Sequence, residues 1–140
     1  MTSSVGVDLG ARRIGIAVSD ALGSLAFPRP SIARHAERSL DHLAIAEVVD
    51  ELGAEVVVVG LPLSLDGSRG RAARGAEEEA AALAALLGAR GVRVETFDER
   101  FTTVTAHSAL ASAGVASRER RGRVDSAAAT VLLQSWLDSR

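Results

Sequence analysis

Residues 5–20, VGVDLGARRIGIAVSD, constrain the fold most, because they predict two short strands joined by a tight turn. Bulky apolar residues alternate with small residues in both strands, so one face of this hairpin is apolar and the other is nearly bare. Asp8 stands on the bare face between Gly6 and Gly10. Glycine within a strand often marks the close approach of another group. The sequence therefore predicts room for a metal or a phosphate at Asp8, with a turn-capping role for this acid as the alternative.

Length and composition limit the class of protein. The 140 residues are enough for one α/β domain, predicted to span residues 1–140, but too few for two lobes that clasp a nucleotide. Hydrophobic residues make up 47% of the chain and charged residues 24%, as in a soluble globular protein, and no apolar run is long enough to span a membrane. The absence of cysteine excludes disulfides and thiolate chemistry, and the N-terminal residues lack the features of a signal peptide. We therefore expect a cytoplasmic protein with no membrane partner.

The charge of the chain is nearly balanced, so any affinity for nucleic acid has to come from local patches. The formal net charge is −2, and all 16 basic residues are arginine, a side chain that binds phosphate in a bidentate manner. Four arginines fall within SRERRGR, residues 117–123, which is predicted to be a surface loop. This segment is a candidate phosphate contact, and a solvated run of charge is the alternative.

The rest of the chain alternates between strand and helix patterns. Pro28 and Pro30 indicate an edge strand, because proline cannot donate to an inner ladder. The continuous apolar run at residues 56–59 follows a helix, which predicts a parallel strand beside the first one. Residues 60–70 then form a loop at the end where open α/β sheets bind ligands. The elements predicted after the hairpin are strands at 22–32, 56–59 and 92–97 and helices at 37–52, 71–90, 102 or 103–110 and 124–137.

Helical spacing also predicts which side chains of the first two helices are buried. The expected buried face of the first helix consists of Leu40, Leu43, Ala44, Val48 and Leu52, and Gly53 is expected to cap its C-terminus. In the second helix, Glu77, Glu78 and Glu79 are expected to be solvated near the positive end of the helix. The histidines lack metal-ligand spacing and are predicted to be surface or packing residues: His35, His42 and His107.

Acidic residues occur where three predicted elements end or begin. Asp8 lies in the first strand, Asp98 and Glu99 follow the last strand, and Asp125 opens the last helix on the stripe that holds Ala129, Leu132 and Trp136. Each acid alone is explained by a turn or a helix dipole. Together they predict an oxygen-ligand site for Mg²⁺ or Mn²⁺, because clustered carboxylates repel one another unless a cation neutralises them. Paired ions of this kind support phosphoryl transfer, so the pattern predicts a nuclease.

Four motifs in order, DLGARRIGIAVSD, VVVGLPLSLDGS, DERFTT and RVDSAAATVLLQ, resemble the YqgF/RuvX family of the RNase H-like superfamily over essentially the whole chain. The resemblance implies an α/β fold, namely an RNase H-like mixed five-stranded sheet with an antiparallel second strand and helices on both faces. It also implies a relationship to Holliday-junction resolvases and a role in trimming the 5′ end of precursor 16S ribosomal RNA (pre-16S rRNA).

The resemblance implies roles for particular residues of this sequence. It implies that Asp8, Glu99 and Asp125 are catalytic and bind Mg²⁺ or Mn²⁺, and that Asp98 is catalytic or orients Arg100. Phe101 replaces a more usual leucine, a change expected to affect packing only. The candidate nucleic-acid contacts are Arg12, Arg13, Arg100, Thr102, Thr103, Arg118, Arg120, Arg121 and Arg123.

Several functional readings remain open from the sequence. RNA is favoured as substrate, because a half-bare sheet face suits a flexible strand better than a rigid duplex. A DNA endonuclease that cuts Holliday junctions is the first alternative, and it would require a dimer rather than a monomer. A noncatalytic RNA-binding assembly factor and an ATPase of the actin and sugar-kinase class are more distant alternatives. The cleavage mode, exonucleolytic or endonucleolytic, is also open.

Overall fold

The computed structural model describes residues 3–102 and 126–140, which form one mixed five-stranded sheet with helices on both faces. The strands follow the order β3-β2-β1-β4-β5; β2 is antiparallel to both β1 and β3, and β4 is parallel to both β1 and β5. This arrangement confirms the predicted fold class. The elements are β1 (Ser4–Leu9), β2 (Arg13–Ser19), β3 (Ala26–Ala33), α1 (Arg38–Leu52), β4 (Val56–Leu61), α2 (Arg71–Gly88), β5 (Arg93–Asp98), a 3₁₀ turn (Glu99–Phe101) and α3 (Ala127–Asp138).

The two faces of the sheet carry separate apolar cores, because successive side chains of a strand point to opposite faces. Val57 and Val59 of β4 pack with α1 and α2, whereas Val56 and Val58 pack with α3. Trp136 is buried in the core under α3, as the sequence predicted. None of the helices in residues 3–102 and 126–140 is long and apolar enough to cross a membrane.

The bare face of the first hairpin is covered by α3 where the sequence predicted open space. A Cβ atom at Gly6 would lie 2.8 Å from Cβ of Leu133 and 3.0 Å from the carbonyl oxygen of Ala129. Gly6 therefore admits a helix rather than a ligand at this position of the bare face. Asp8 lies further along β1 and is half-buried.

The proline-containing strand β3 lies at the edge of the sheet, as predicted, although it runs from Ala26 to Ala33 rather than over 22–32. Its pairing with β2 shifts register between Ile14 and Ile16. The buried hydroxyl of Ser126 fills this irregularity, because it accepts a hydrogen bond from the Ile16 amide (3.0 Å) and donates one to the Arg29 carbonyl (2.6 Å). The start of α3 is thereby fixed to β2 and β3.

Helix α1 ends at Gly53, which has a φ of 62°, so the predicted C-terminal cap is confirmed. The predicted buried face of α1 is wrong at Leu40 and Leu43, which are 45% and 49% exposed, whereas Val48 and Leu52 are partly buried against the core. The helix is rotated so that polar residues point inward together with three apolar ones. Its buried residues are Asp41, His42, Ile45, Ala46 and Val49.

The reason is a buried ionic cluster formed by Arg34, Asp41, His42 and Glu79, with the exposed Arg38 at its rim, which joins α1, α2 and the end of β3. The Arg34 guanidinium donates to both Glu79 carboxylate oxygens (2.8 and 3.0 Å) and to Asp41 (3.0 Å). Glu79 also bonds to Arg38 and to Nε2 of His42. The expectation that Glu79 is solvated is therefore wrong, whereas His42 does act as a packing residue.

The carboxylates of the buried ionic cluster stay ionised. Burial raises the pKa of Glu79, but hydrogen bonds from Arg34 and His42 outweigh it, so the pKa lies below its ordinary value. The pKa of Asp41 is lowered in the same way, because burial is outweighed by hydrogen bonds from His35 and Arg34. Arg34 also donates from Nε to the Gly10 carbonyl (2.9 Å), so the cluster is connected to the β1–β2 turn.

Candidate active site

Parallel pairing brings the ends of β1, β4 and β5 to one edge of the sheet. Val7 is paired with Val59 across β1 and β4, so Asp8 and Gly60 follow side by side. Gly60 in turn is paired with Phe97 of β5, and Glu99 begins the 3₁₀ turn directly after that strand. Asp8, Gly60 and Glu99 therefore meet on the α3 face of the sheet.

The Glu99 side chain lies across Gly60 and reaches Asp8. Its Oε1 atom is 2.7 Å from the point that a Cβ atom at Gly60 would occupy. The pKa of Glu99 is raised to about 7, first because the carboxyl is partly buried and then because of the negative charge of Asp8 and a hydrogen bond with it. The Glu99 carboxyl is thus harder to ionise than an ordinary glutamate, and a bound cation would favour its ionised form.

Asp98 has a different environment from its neighbour Glu99. Its Oδ2 atom accepts from Nη2 and Nε of Arg100 (2.6 and 2.9 Å), and its Oδ1 atom accepts from the Arg100 amide (2.9 Å). The Arg100 side-chain hydrogen bond lowers the pKa of Asp98. Arg100 also donates from Nη1 to the Leu65 carbonyl (3.2 Å), which connects β5 to the loop that follows β4. The geometry thus shows Asp98 orienting Arg100 and Glu99 facing Asp8.

The structure describes only some of the other candidate residues. Arg12 and Arg13 are exposed in the turn and strand that follow Asp8, and Nε of Arg13 donates to the Ser31 hydroxyl (2.7 Å). The Thr102 hydroxyl donates to the Glu99 carbonyl (2.9 Å), so it closes the 3₁₀ turn. The following candidates, and His107, lie outside the described residues: Thr103, Arg118, Arg120, Arg121, Arg123 and Asp125.

Phe101 departs from the expectation that it is a packing residue, because 62% of it is exposed. Its ring meets Phe97 edge-on with 6.2 Å between the centroids, and the Arg100 guanidinium lies 5.9 Å from its centroid. An aromatic ring is therefore presented to solvent two residues after Glu99. Aromatic side chains in this setting can stack on nucleic-acid bases.

Asp125 precedes Ser126 in the chain, and the three residues predicted to share its face are all buried: Ala129, Leu132 and Trp136. Within residues 3–102 and 126–140, His and acidic side chains form no group of three that could hold a metal. In this part of the chain the candidate metal site therefore consists of two carboxylates, those of Asp8 and Glu99.

Sequence analysis missed Gly60 and Ser126 as residues that shape the site. Gly60 follows the apolar run 56–59 at the start of a predicted loop, where glycine is common, and nothing in the local sequence indicates that Glu99 lies over it. Ser126 follows Asp125 in the RVDS motif, and nothing in the local sequence indicates that its hydroxyl is buried. Both positions depend on contacts with distant parts of the chain, so their local sequence gives little signal.

The sheet has the RNase H-like order, with one carboxylate on the central strand β1 and another directly after the edge strand β5, and the chain is a nuclease with this fold. The chain belongs to the RuvX family, since the family model described as RuvX, Holliday junction resolvase, matches residues 2–139. Nucleases with this fold generally use divalent metal ions.

Similar proteins agree with this assignment. A relative from Mycobacteroides abscessus, named "Putative pre-16S rRNA nuclease", is 47% identical over 138 residues, covering 97% of this chain and 81% of the relative. A relative of the same name from Anaeromyxobacter sp. (strain Fw109-5) is 48% identical over 136 residues, covering 97% of this chain and 96% of the relative. The structure of T. thermophilus RuvC in complex with a Holliday junction substrate has a similar fold. Its TM-score is 0.65 at 16% identity, over 99% of this chain and 96% of that chain.

Proposed function

We propose that this protein is a metal-dependent ribonuclease that processes the 5′ end of pre-16S rRNA in the cytoplasm. The observation that carries the proposal is the Asp8–Glu99 pair, in which a neighbouring carboxylate and burial raise the pKa of Glu99 to about 7. The names of the two relatives support the substrate.

The residues present fit a hard divalent cation, Mg²⁺ or Mn²⁺. Asp8 and Glu99 offer only oxygen atoms, and their mutual repulsion is relieved when a cation lies between them. We propose Asp125 as the third ligand. This placement is supported by the hydrogen bond from the Ile16 amide to Ser126, because Ile16 follows Gly15, the strand partner of Asp8. When bound, such ions activate water and stabilise the leaving oxygen of a phosphodiester.

The arginines of the chain have a separate role in the proposal, which is to bind and orient the nucleic-acid backbone. Asp98 fixes the guanidinium of Arg100, the residue that follows Glu99, and a fixed guanidinium is suited to bidentate contact with phosphate. Thr102 supports the turn that carries Glu99. The remaining proposed contacts are Arg12, Arg13, Thr103, Arg118, Arg120, Arg121 and Arg123.

The central test compares Asp8→Asn with the wild type. The amide keeps the shape of the side chain but removes a charge that holds the cation, so we expect cleavage of pre-16S rRNA to be lost while the fold is retained. Cleavage with Mn²⁺, with Mg²⁺ and with excess chelator is measured by mapping the RNA ends, and circular dichroism checks the fold. Glu47→Gln, an exposed carboxylate of α1, is the matched control and should keep full activity.

Full cleavage by folded Asp8→Asn protein, or cleavage that continues in excess chelator, would refute the metal-dependent mechanism. Binding of RNA by the wild type without any cleavage would favour the noncatalytic assembly factor. Binding of ATP measured by calorimetry, again without cleavage, would favour the ATPase class.

The second candidate function is resolution of four-way DNA junctions, which the description of the matching family favours. This activity requires two active sites in a dimer. The same preparation is therefore incubated with a four-way DNA junction under the same metal. Symmetric junction cleavage that leaves pre-16S rRNA intact would replace the RNA assignment with this one.

A further inference from the structure

We propose that Gly60 is a positioning residue for Glu99, because the absence of a side chain at this position lets the carboxylate lie across β4 and reach Asp8. The inference rests on the proposed metal-binding role of Asp8 and Glu99. It concerns a residue that has no side chain with which to bind the metal.

The three atoms nearest to the space above Gly60 all belong to the Glu99 side chain. A Cβ atom built on Gly60 would lie 2.7 Å from Oε1, 3.2 Å from Cδ and 3.2 Å from Cγ of Glu99. The first distance is shorter than any ordinary contact of a carbon atom. An alanine at position 60 would therefore displace the carboxylate rather than fit beneath it.

The backbone at Gly60 gives no other reason for glycine. The glycines with positive φ in the described residues are Gly23, Gly53, Gly67 and Gly91, so Gly60 has a conformation that alanine can adopt. It lies inside β4 and is paired with Phe97. Replacing glycine with alanine at such a position restricts the unfolded chain and is favourable in itself. The cost of a methyl group at position 60 should therefore fall on the placement of Glu99.

Gly6 provides a contrast on the same face of the neighbouring strand. A Cβ atom there would meet the Cβ of Leu133 and the backbone of Ala129 in α3, which cannot move without shifting the helix. Glu99 is a flexible side chain at the sheet edge and can move at little cost. Gly6→Ala is thus expected to reduce stability, whereas Gly60→Ala is expected to leave stability nearly unchanged and to weaken metal binding.

The experiment measures Mn²⁺ affinity by calorimetry and stability by urea unfolding of the metal-free protein. We expect Gly60→Ala to bind Mn²⁺ about tenfold more weakly or worse, the range seen when residues that orient metal ligands are replaced. Its urea midpoint should match that of the wild type. Gly75→Ala, where the added methyl group lies in α2 and meets none of the described residues outside its own stretch of helix within 4 Å, should not weaken Mn²⁺ binding.

A second pair of variants ties the effect to Glu99. In a Glu99→Ala background the side chain that alanine 60 would displace is gone, so adding Gly60→Ala should leave Mn²⁺ affinity unchanged. In a Glu99→Asp background the shorter carboxylate avoids the methyl group, so Gly60→Ala should again have little further effect. Such non-additivity is expected only of residues that act through one another.

The outcomes separate this inference from the proposed function. If Asp8→Asn and Glu99→Ala leave Mn²⁺ affinity at the wild-type value, the proposed metal site is wrong. If those variants weaken binding but Gly60→Ala binds as the wild type does, the positioning role is wrong. A Gly60→Ala protein that fails to fold, with no recovery when Glu99→Ala is added, would also contradict the inference, because the methyl group would then clash with something other than Glu99.

Discussion

The pKa values of the neighbouring residues Asp98 and Glu99 are shifted in opposite directions, and their different contacts explain why. Asp98 faces the Arg100 guanidinium, which lowers the pKa of Asp98. Glu99 is partly buried against Asp8, which raises the pKa of Glu99 to about 7. Glu99 is suited to bind a cation, because a positive charge would stabilise its ionised form. Asp98 is already paired with Arg100 and is suited to orient that arginine.

The raised pKa of Glu99 predicts how stability depends on pH without metal. The folded protein binds the Glu99 proton more tightly than the unfolded chain does, so stability should fall as the pH rises from about 4.5 to about 7. Urea midpoints measured in chelator between pH 5 and pH 8 test this expectation. Glu99→Gln cannot ionise at this position and should lack that decrease, and an equal decrease in Glu99→Gln would show that another group is responsible.

At the scale of elements, polar contacts rather than leucines set the orientation of α1. The buried ionic cluster joins Arg34 at the end of β3 to Asp41 in α1 and Glu79 in α2. Because Arg34 also bonds to the Gly10 carbonyl, the same cluster supports the turn that follows Asp8. The packing of the helices and the shape of the active-site edge are therefore connected through one arginine.

We predict that Glu79→Gln destabilises the protein by about 3 kcal/mol, the usual cost when one partner of a buried ion pair is removed. The amide leaves Arg34 with Asp41 as its remaining charged partner in the cluster. Urea unfolding at pH 7 measures the loss. Glu78→Gln, an exposed neighbour on the same helix, should change stability little.

Acid unfolding provides a check on the same cluster. Because the pKa of Glu79 is lowered in the folded protein, its stabilising contribution is complete above its ordinary pKa and is lost as the pH falls through the folded value. The stability difference between wild type and Glu79→Gln should therefore shrink in acid. A difference that stays constant down to pH 2 would mean that the ionisation of Glu79 does not stabilise the fold.

At the scale of the whole molecule, the net charge of −2 gives no general attraction for a polyanion. Binding of nucleic acid must then depend on groups of arginines, and residues 117–123 hold the densest group in the sequence.

We predict that replacing Arg118, Arg120, Arg121 and Arg123 with glutamine weakens RNA binding and flattens its dependence on salt, because fewer counterions are released. Stability should hardly change. Affinity is measured against salt concentration for the quadruple variant and the wild type. The controls are Arg90→Gln, between α2 and β5, and Arg93→Gln, at the start of β5 and away from Glu99, which follows its end. An unchanged slope would show that these arginines do not contact phosphates.

The features that the sequence predicted well depend on residues close together in the chain. Strand alternation, the cap at Gly53 and the edge position given by Pro28 and Pro30 are local properties, and the structure confirms each of them. The family motifs were also local and gave the fold class. The candidate acids were found because acids are unusual at the ends of apolar strands, although the sequence alone could not separate Asp98 from Glu99.

Tertiary structure alone determined which side chains face one another across the chain. Arg34 and Glu79 are 45 residues apart and make a buried ion pair, which buries an acid predicted to be solvated. The same cluster turns Asp41 and His42 of α1 inward and leaves Leu40 and Leu43 exposed. Glu99 lies over Gly60, 39 positions earlier, because parallel pairing of β4 with β5 aligns their ends. The sequence determined the elements and the fold class, because periodicity indicates helices, strands and the average polarity of their faces. The contacts between distant residues determined which polar groups are buried and which carboxylate reaches Asp8.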